Sequence, residues 1–462
     1  MSVLFRLRCA ATAVALIGLG ALPLQADTLA DALATAYRNS NLLEQNRALL
    51  RASDEDVVQA NAAIGPVVNF VAAALANSDN APDYRISVAL QASMTLYDFG
   101  RGRLNIDATR EQVLSARAGL IAVEQNVLFD AAQAYLTLFN EMQSRELQRN
   151  SVSVISEQLR SASERFELGD STRTDVAIAE ARLAGARSAL AAADGNVAMA
   201  RESYNLIVGR YPRGVSQPPR LPRLPASLEA AQDLARRHHP AITQVQHQVT
   251  AAEIVAEIAG QQRYGTVTGS VTAEARRQGL VTGDSSSSDI TAQMRYSVPL
   301  YGGGRLLSVE RQAVARGQAQ RSGLHQTVGV VHQAVASNWS QLRVARAQLA
   351  AGDLQIEASR SAYDAVRAEV DLGSRTTLDL LNAEQELLDA RSARILASTG
   401  VQIAAYALLN SMGQMTVGTL GLGIPTYDVE AYSAGLRDGG QAGADSEQGR
   451  SLDRILSRFL RP

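Results

Sequence analysis

Residues 85–97, RISVALQASMTLY, decide the fold. Ile86, Val88, Leu90, Ala92, Met94 and Leu96 fall on one face of an extended chain, and Arg85, Ser87, Gln91, Ser93 and Thr95 fall on the other. Successive side chains of a strand point to opposite sides, so the run predicts a strand with one apolar and one polar face. It is long enough to cross a membrane at a tilt, which takes about 9–11 residues. The segment DITAQMRYSVPLY (289–301) repeats the alternation, with Ile290, Ala292, Met294, Tyr296, Val298 and Leu300 against Asp289, Thr291, Gln293, Arg295 and Ser297. Weaker strands precede each, VVNFVAAALA (67–76) and YGTVTGSVTAEA (264–275), which predicts hairpins over 67–98 and 264–301. In the second hairpin the turn-rich GLVTGDSSSSD (279–289) reads as the loop.

The two strands belong to a duplication. Tyr97 matches Tyr301, Arg101 matches Arg305, Tyr135 matches Trp339, Leu168-Gly169 match Leu372-Gly373, Asp175 matches Asp379 and Gly209 matches Gly413, each pair 204 positions apart. A constant offset over such a span means that both halves share their lengths of helix and turn. Upstream the offset falls to 199, as in Leu29 and Leu228, and the difference falls in the hairpin loop. The expected plan is therefore a signal peptide (1–26), a first repeat (27–210), a Pro-rich linker (211–226), a second repeat (227–413) and a largely disordered C-terminal extension (414–462). Within each repeat the order is helix, hairpin, long helix, turn, helix.

Proline marks the long helices by its absence, since it costs roughly 3 kcal/mol in a helix interior. None occurs between Pro82 and Pro212, and only Pro299 interrupts the interval from Pro240 to Pro425. Helices are predicted over 102–168 and 173–208, and over 305–371 and 377–412; the longest would extend about 100 Å at 1.5 Å per residue. Val176, Ala179, Leu183, Ala186, Leu190, Ala193, Val197, Ala200 and Tyr204 alternate steps of three and four, the heptad of a coiled coil. Val113, Ala116, Leu120, Val123 and Val127 do nearly the same in the outgoing helix.

Four strands cannot close a barrel, which takes about eight to enclose a packed interior. An open sheet cannot sit in lipid either, because its edges find no hydrogen-bond partners there. Strands that span a membrane therefore require several copies of the chain, and the lipid-facing positions would be Ile86, Val88, Leu90, Met94, Ile290, Met294, Tyr296 and Val298. The alternative is a half-buried hairpin on a periplasmic protein, which alternates equally well.

Export is written at the N-terminus. Arg6 and Arg8, the apolar run Ala10 to Leu22 and the small-residue site Leu24-Gln25-Ala26 have the order of a secretory signal. The single cysteine, Cys9, precedes the apolar run and would leave with it, and no later stretch supplies the about 20 apolar residues of a membrane helix. The 44 basic side chains, all Arg, nearly balance 46 acidic ones, which excludes the basic footprint of a nucleic-acid binder. His238-His239, His247, His325 and His332 have no metal-ligand spacing, Gly302-Gly303-Gly304 lacks the lysine of a phosphate loop, and no GxSxG elbow occurs. Neither catalysis nor a cofactor or metal is expected.

MTLYDFGRG (94–102), YSVPLYGGGR (296–305), RFELGDSTRTD (165–175) and EVDLGSRTTLD (369–379), in register across the two halves, resemble the TolC family of outer-membrane factors over roughly residues 28–424. The resemblance implies a mainly α-helical homotrimer whose coiled-coil tunnel hangs below a 12-stranded transmembrane β-barrel, four strands coming from each protomer. It implies a passive duct for multidrug efflux or type I protein secretion, docked through a periplasmic adaptor on an inner-membrane ABC or RND pump. Carried over position by position, Thr174 and Asp175 would face Arg375 in a periplasmic gate, and Asp379 would form a constriction ring. The turns at Leu168, Gly169, Leu372 and Gly373 would meet the adaptor. Two positions depart from the pattern: Asn382 stands where a second aspartate is expected, and Val370 where a gate tyrosine is expected. Without the resemblance, a lone Asp or Arg at a helical turn reads as a cap or a solvated charge. A different class of function, a periplasmic coiled-coil structural or adaptor protein without membrane strands, stays open; an adaptor would carry a lipoyl-like all-β module, and none is evident.

Overall fold

The computed structural model describes residues 26–77, 83–169, 171–280, 283–437 and 450. The expected signal peptide, apart from Ala26, and the apolar segment 451–462 lie outside the described residues.

In chain order the elements are α1 (Leu29–Asn39), α2 (Asn41–Ala62), β1 (Val67–Asn77), β2 (Asp83–Tyr97), α3 (Arg101–Glu167), α4 (Arg173–Val208), α5 (Leu228–His238), α6 (Pro240–Gln261), β3 (Thr266–Leu280), β4 (Gly283–Ser297), α7 (Arg305–Asp371), α8 (Thr377–Ser411), α9 (Val417–Leu420) and α10 (Val429–Arg437). The long helices α3 and α7 both contain 67 residues and begin at the matched Arg101 and Arg305. Each half opens on two helices where one was expected. In the second half the break falls at His239, whose Nδ1 accepts from the Ala241 amide at 3.2 Å ahead of Pro240. Burial lowers the His239 pKa and keeps the imidazole neutral for that acceptor role.

The chain forms two compact units, neither of which coincides with a sequence repeat. One comprises residues 1–41, 124–231 and 334–424; the other comprises 42–123, 232–333 and 425–462. In the first, α4 buries Ala179, Leu183, Ala193, Val197, Ala200, Tyr204 and Val208, most of the predicted heptad seam. Tyr135, Leu136 and Leu138 of α3 and Leu408 of α8 are fully enclosed there. α8 carries a stretch of mean hydropathy 1.2, long enough by composition to cross a membrane, against the expectation that no later segment would. Its apolar residues instead serve packing, with Ala405 and Leu408 wholly buried.

The same unit holds a polar knot around Asp27. Asp27, 5% exposed, pairs with Arg210 at 3.0 Å, and its carboxylate also accepts from the Tyr204 hydroxyl and the Arg213 amide, each at 3.4 Å. The Tyr135 hydroxyl reaches the carbonyl oxygens of Ser216 at 2.8 Å and Asp27 at 3.0 Å. Asp27 forms a parallel bridge with Val215, so the linker is stitched to the N-terminus.

The second unit contains one antiparallel sheet in the order β1-β2-β3-β4. Its register sorts the side chains into two faces, because directly opposed residues share a face. Phe70, Leu90, Ala273 and Ile290 line up across all four strands, as do Val68, Ala92, Val271 and Ala292. On the opposite face stand the rows Asn69, Gln91, Thr272, Thr291 and Val67, Ser93, Ser270, Gln293. The apolar face is open: Phe70 is 71% exposed, Met294 74% and Ile290 80%. Ile86, Val88, Leu90, Met94, Ile290, Met294 and Tyr296 all belong to it.

Two boundaries differ from the sequence reading. β4 begins at Gly283 and ends at Ser297, so Val298 lies outside the strand and residues 283–289 pair with β3 where a loop was expected. Pro299 has no N–H to donate and stops the ladder, whereas Ser285 to Ser288 pair with Ala275 to Gln278 and carry no apolar alternation. Residues 414–437 are ordered, where disorder was expected. Met415 and Val417 are buried, and Tyr432 of α10 donates to Glu55 on α2 at 2.6 Å. In the second unit Arg117 pairs with the buried Asp54 at 3.6 Å and approaches Glu430 at 4.0 Å.

The two strand-to-helix junctions are built differently. Between β2 and α3, the Asp98 carboxylate accepts from the amides of Gly100 at 3.0 Å and Gly102 at 2.6 Å. Arg101 donates to the carbonyl of Gly265 at 2.5 Å and to the Thr266 hydroxyl. Phe99, held at φ 62°, lies between the rings of Tyr97 and Tyr264 at 4.8 and 5.4 Å. Between β4 and α7, Leu300 and Tyr301 are 93% and 92% exposed, and Gly302, Gly303 and Gly304 face open space.

Candidate functional site

The predicted gate residues sit on the two interhelical turns of the first compact unit. Each turn closes its outgoing helix with a glycine in the left-handed region, Gly169 at φ 85° and Gly373 at φ 77°, a conformation that a Cβ disfavours. Their amides donate to Phe166 and Val370 at 3.1 and 3.0 Å. The adjoining Leu168 and Leu372 project into open space, 78% and 85% exposed.

Each return helix then opens on a reciprocal cap. Thr172 Oγ1 accepts from the Asp175 amide at 3.2 Å while the Asp175 carboxylate accepts from the Thr172 amide at 3.0 Å. Thr376 and Asp379 repeat the arrangement at 3.2 and 3.1 Å. These capping boxes satisfy amides left unpaired by the first turn, and a carboxylate there favours the positive end of the helix dipole. Hydrogen bonds from the threonine hydroxyls and amides hold both carboxyls below the usual aspartate range, so both are ionised. The sequence spacing Thr172-x-x-Asp175 and Thr376-x-x-Asp379 already contains this signature.

The structure does not bring Arg375 to Asp175 or Thr174 within one chain. Arg375 Nε instead donates to Glu369 at 2.9 Å on its own turn, with both side chains about half exposed. A pair so exposed and so local is worth little, about 0–1 kcal/mol, and is readily exchanged. Thr174 is exposed and makes no recorded side-chain hydrogen bond among the described residues. Val370 is 4% exposed and packs as an apolar residue. Between the turns, Arg165 approaches Asp371 at 3.8 Å and the Val370 carbonyl at 3.5 Å. Sequence reasoning also missed Arg182 on α4, whose Nη2 donates to Asn382 Oδ1 on α8 at 3.0 Å. Only the tertiary packing of α4 against α8 reveals that contact.

No group of three or more His, Cys, Asp or Glu suited to a metal occurs among the described residues. The structure therefore offers an open sheet with an apolar face across the rows of Phe70 and Val68, and long helices ending in exposed, capped turns.

Comparison with known proteins places this architecture. A family model described as "Outer membrane efflux protein" matches residues 32–210 and 231–414, leaving out the linker. Outer membrane efflux protein BepC of Brucella suis is 34% identical over 416 residues, 89% of this chain and 91% of that protein. Outer membrane protein TolC of Vibrio cholerae is 25% identical over 431 residues, covering 89% and 94%. The crystal structure of the Vibrio cholerae outer membrane protein VceC superposes with a TM-score of 0.70 over 83% of this chain and 96% of that one, and at 20% identity shows the shared fold. With the family pattern spanning both helical repeats and the sheet between their elements, the chain belongs to the outer membrane efflux protein family, channel proteins of the outer membrane with a tunnel in the periplasm.

Proposed function

We propose that the chain works as a homotrimer, a passive duct in which three copies of the four-stranded sheet close one barrel through the outer membrane. The observation that carries this is the sheet itself. It has one face that is apolar across the rows of Phe70 and Val68, a largely polar opposite face, and outer edges on β1 and β4 that pair with nothing among the described residues. In hydrocarbon each unpaired backbone group would cost several kcal/mol, so the edges of neighbouring copies are the partners that permit insertion. Asn69, Gln91, Thr272 and Thr291 would then face a wet lumen. A hydrophilic cargo passes such a wall without any bond being made or broken.

The tunnel serves a tripartite export system for efflux, type I protein secretion or both. Its further partners are a periplasmic adaptor docking at Leu168-Gly169 and Leu372-Gly373 and an inner-membrane ABC or RND pump. The exposure of the two leucines, with no packing role in the protomer, supports these turns as the docking points. Arg375 serves as a gate latch by exchanging its local Glu369 for Thr174 and Asp175 of a neighbouring turn, and Asp379 lines the constriction.

Purified mature protein in detergent should run as a trimer and conduct in planar bilayers. Arg375→Glu should raise single-channel conductance by unlatching the closed end. A water-soluble monomer without surfactant refutes the duct; unchanged conductance in a well-folded Arg375→Glu trimer refutes the latch alone.

A further inference from the structure

One turn beyond the cap residue Asp379, the exposed Asn382 receives a hydrogen bond from Arg182 of α4. Positions three apart on a helix share a face, so Asp379 and Asn382 lie about 4.5 Å apart along the axis on one side of α8, with the Asp379 carboxylate turned back onto Thr376. An aspartate at position 382 would neutralise Arg182 as an ion pair. A carboxamide orients the guanidinium through its oxygen and leaves the charge uncompensated. Among the described residues Arg182 forms no ion pair, in contrast to Arg165, Arg375 and Arg394 of the same unit, which all have carboxylate partners. A guanidinium stays charged at every accessible pH.

On the reading that these turns form the narrow end of a duct, we propose that Arg182 is a selectivity-determining residue. Held by Asn382, it sets a fixed cation beside the Asp379 carboxylate, so each copy contributes one charge of each sign. The constriction then admits small anions and acidic stretches of cargo as well as cations. Charges facing a narrow wet passage act on permeant ions more strongly than the same charges on an open surface, because low-dielectric walls focus their field. An unopposed aspartate ring would repel anions and hold multivalent cations. The arginine removes that bias without closing the path, because its side chain is tied back against α8.

The test is the reversal potential of purified trimers in planar bilayers under a potassium chloride gradient. Arg182→Gln should raise the potassium-to-chloride permeability ratio by about fivefold at low ionic strength, with the effect fading in concentrated salt. It should also introduce block by a trivalent cation such as lanthanum. Arg182→Lys, which keeps the charge, should leave the ratio close to that of the unaltered channel. Asn382→Asp, which neutralises Arg182 in place, should move the ratio in the same direction as Arg182→Gln and serves if that variant assembles poorly. A conducting Arg182→Gln or Asn382→Asp trimer with an unchanged reversal potential overturns the assignment while the duct stands. Failure of the unaltered trimer to conduct overturns both.

Discussion

The polar knot around Asp27 permits a quantitative test of what ties the segment before α1 to the linker. Tyr135→Phe removes a hydroxyl that is wholly enclosed and reaches two carbonyls. The loss is smaller than that burial suggests. The Asp27 carbonyl keeps the Ser216 amide at 3.1 Å and the Ser216 hydroxyl at 3.2 Å, so only the Ser216 carbonyl loses a partner, and Ser216 is partly exposed. That arithmetic gives about 1–2 kcal/mol, one hydrogen bond and a partly rehydrated acceptor. Arg210→Gln should cost more, because the Asp27 carboxylate would keep only two contacts at 3.4 Å. Breaking a buried pair costs about 3–5 kcal/mol, and with Arg210 itself 31% exposed we expect about 2–4 kcal/mol. At roughly 2–4 °C per kcal/mol for a unit of this size, thermal unfolding in detergent followed by circular dichroism should show Tm falling by about 3–6 °C for Tyr135→Phe. For Arg210→Gln the fall should be roughly 5–10 °C. The reasoning fails if Tyr135→Phe is the more damaging of the two, or if neither moves the transition.

Two further outcomes follow from buried chemistry. Glu384, 7% exposed on α8, has its carboxyl pKa raised above 4.5 by burial, although Tyr363, Arg391 and Arg367 pull the other way. A folded-state pKa above the unfolded one gives a contribution that is complete below the unfolded value and lost as pH rises through the folded value. Glu384→Gln should therefore raise Tm at about pH 8, with the gain disappearing near pH 4; an equal gain at both would contradict the burial argument. Gly265, at φ 77°, places an added Cβ against the Ser297 carbonyl and 2.9 Å from Val298 Cα. Gly265→Ala should abolish recovery of heat-modifiable trimer from outer-membrane fractions, whereas Gly302→Ala, which meets nothing within 4 Å, should leave the yield intact.

Much of this architecture was legible because it depends on local rules. Long helices need uninterrupted propensity, and the absence of proline from 83–211 marks the two helices of the first half. The β2 strand alternates cleanly because each of its residues faces either the apolar or the polar side throughout. β4 was misjudged where the alternation fails: Ser285 to Ser288 carry the same hydropathy on both faces, so only pairing with Ala275 to Gln278 reveals the strand. The order of 414–437 was hidden for a different reason. Its anchors, Met415, Val417 and Tyr432, are spaced through a Gly-containing sequence without periodic alternation, and the partner of Tyr432 is far away in the chain. At the candidate site the caps were readable from spacing, Thr-x-x-Asp in both halves, but contacts such as Arg182 with Asn382 depend on helix packing that no local pattern encodes.

The contrast between the two strand-to-helix junctions has a mechanical consequence. The first is a stiff strut, braced by Asp98, Arg101 and the ring of Phe99 set edge-on to Tyr97. The second is held by backbone bonds alone, Arg305 to the Gly302 carbonyl at 3.1 Å and Ser308 to the Gly304 carbonyl at 3.0 Å, with no side chain packed against its three glycines. A strain reaching the sheet through α3 therefore meets a braced corner, whereas one arriving through α7 meets a corner without side-chain support.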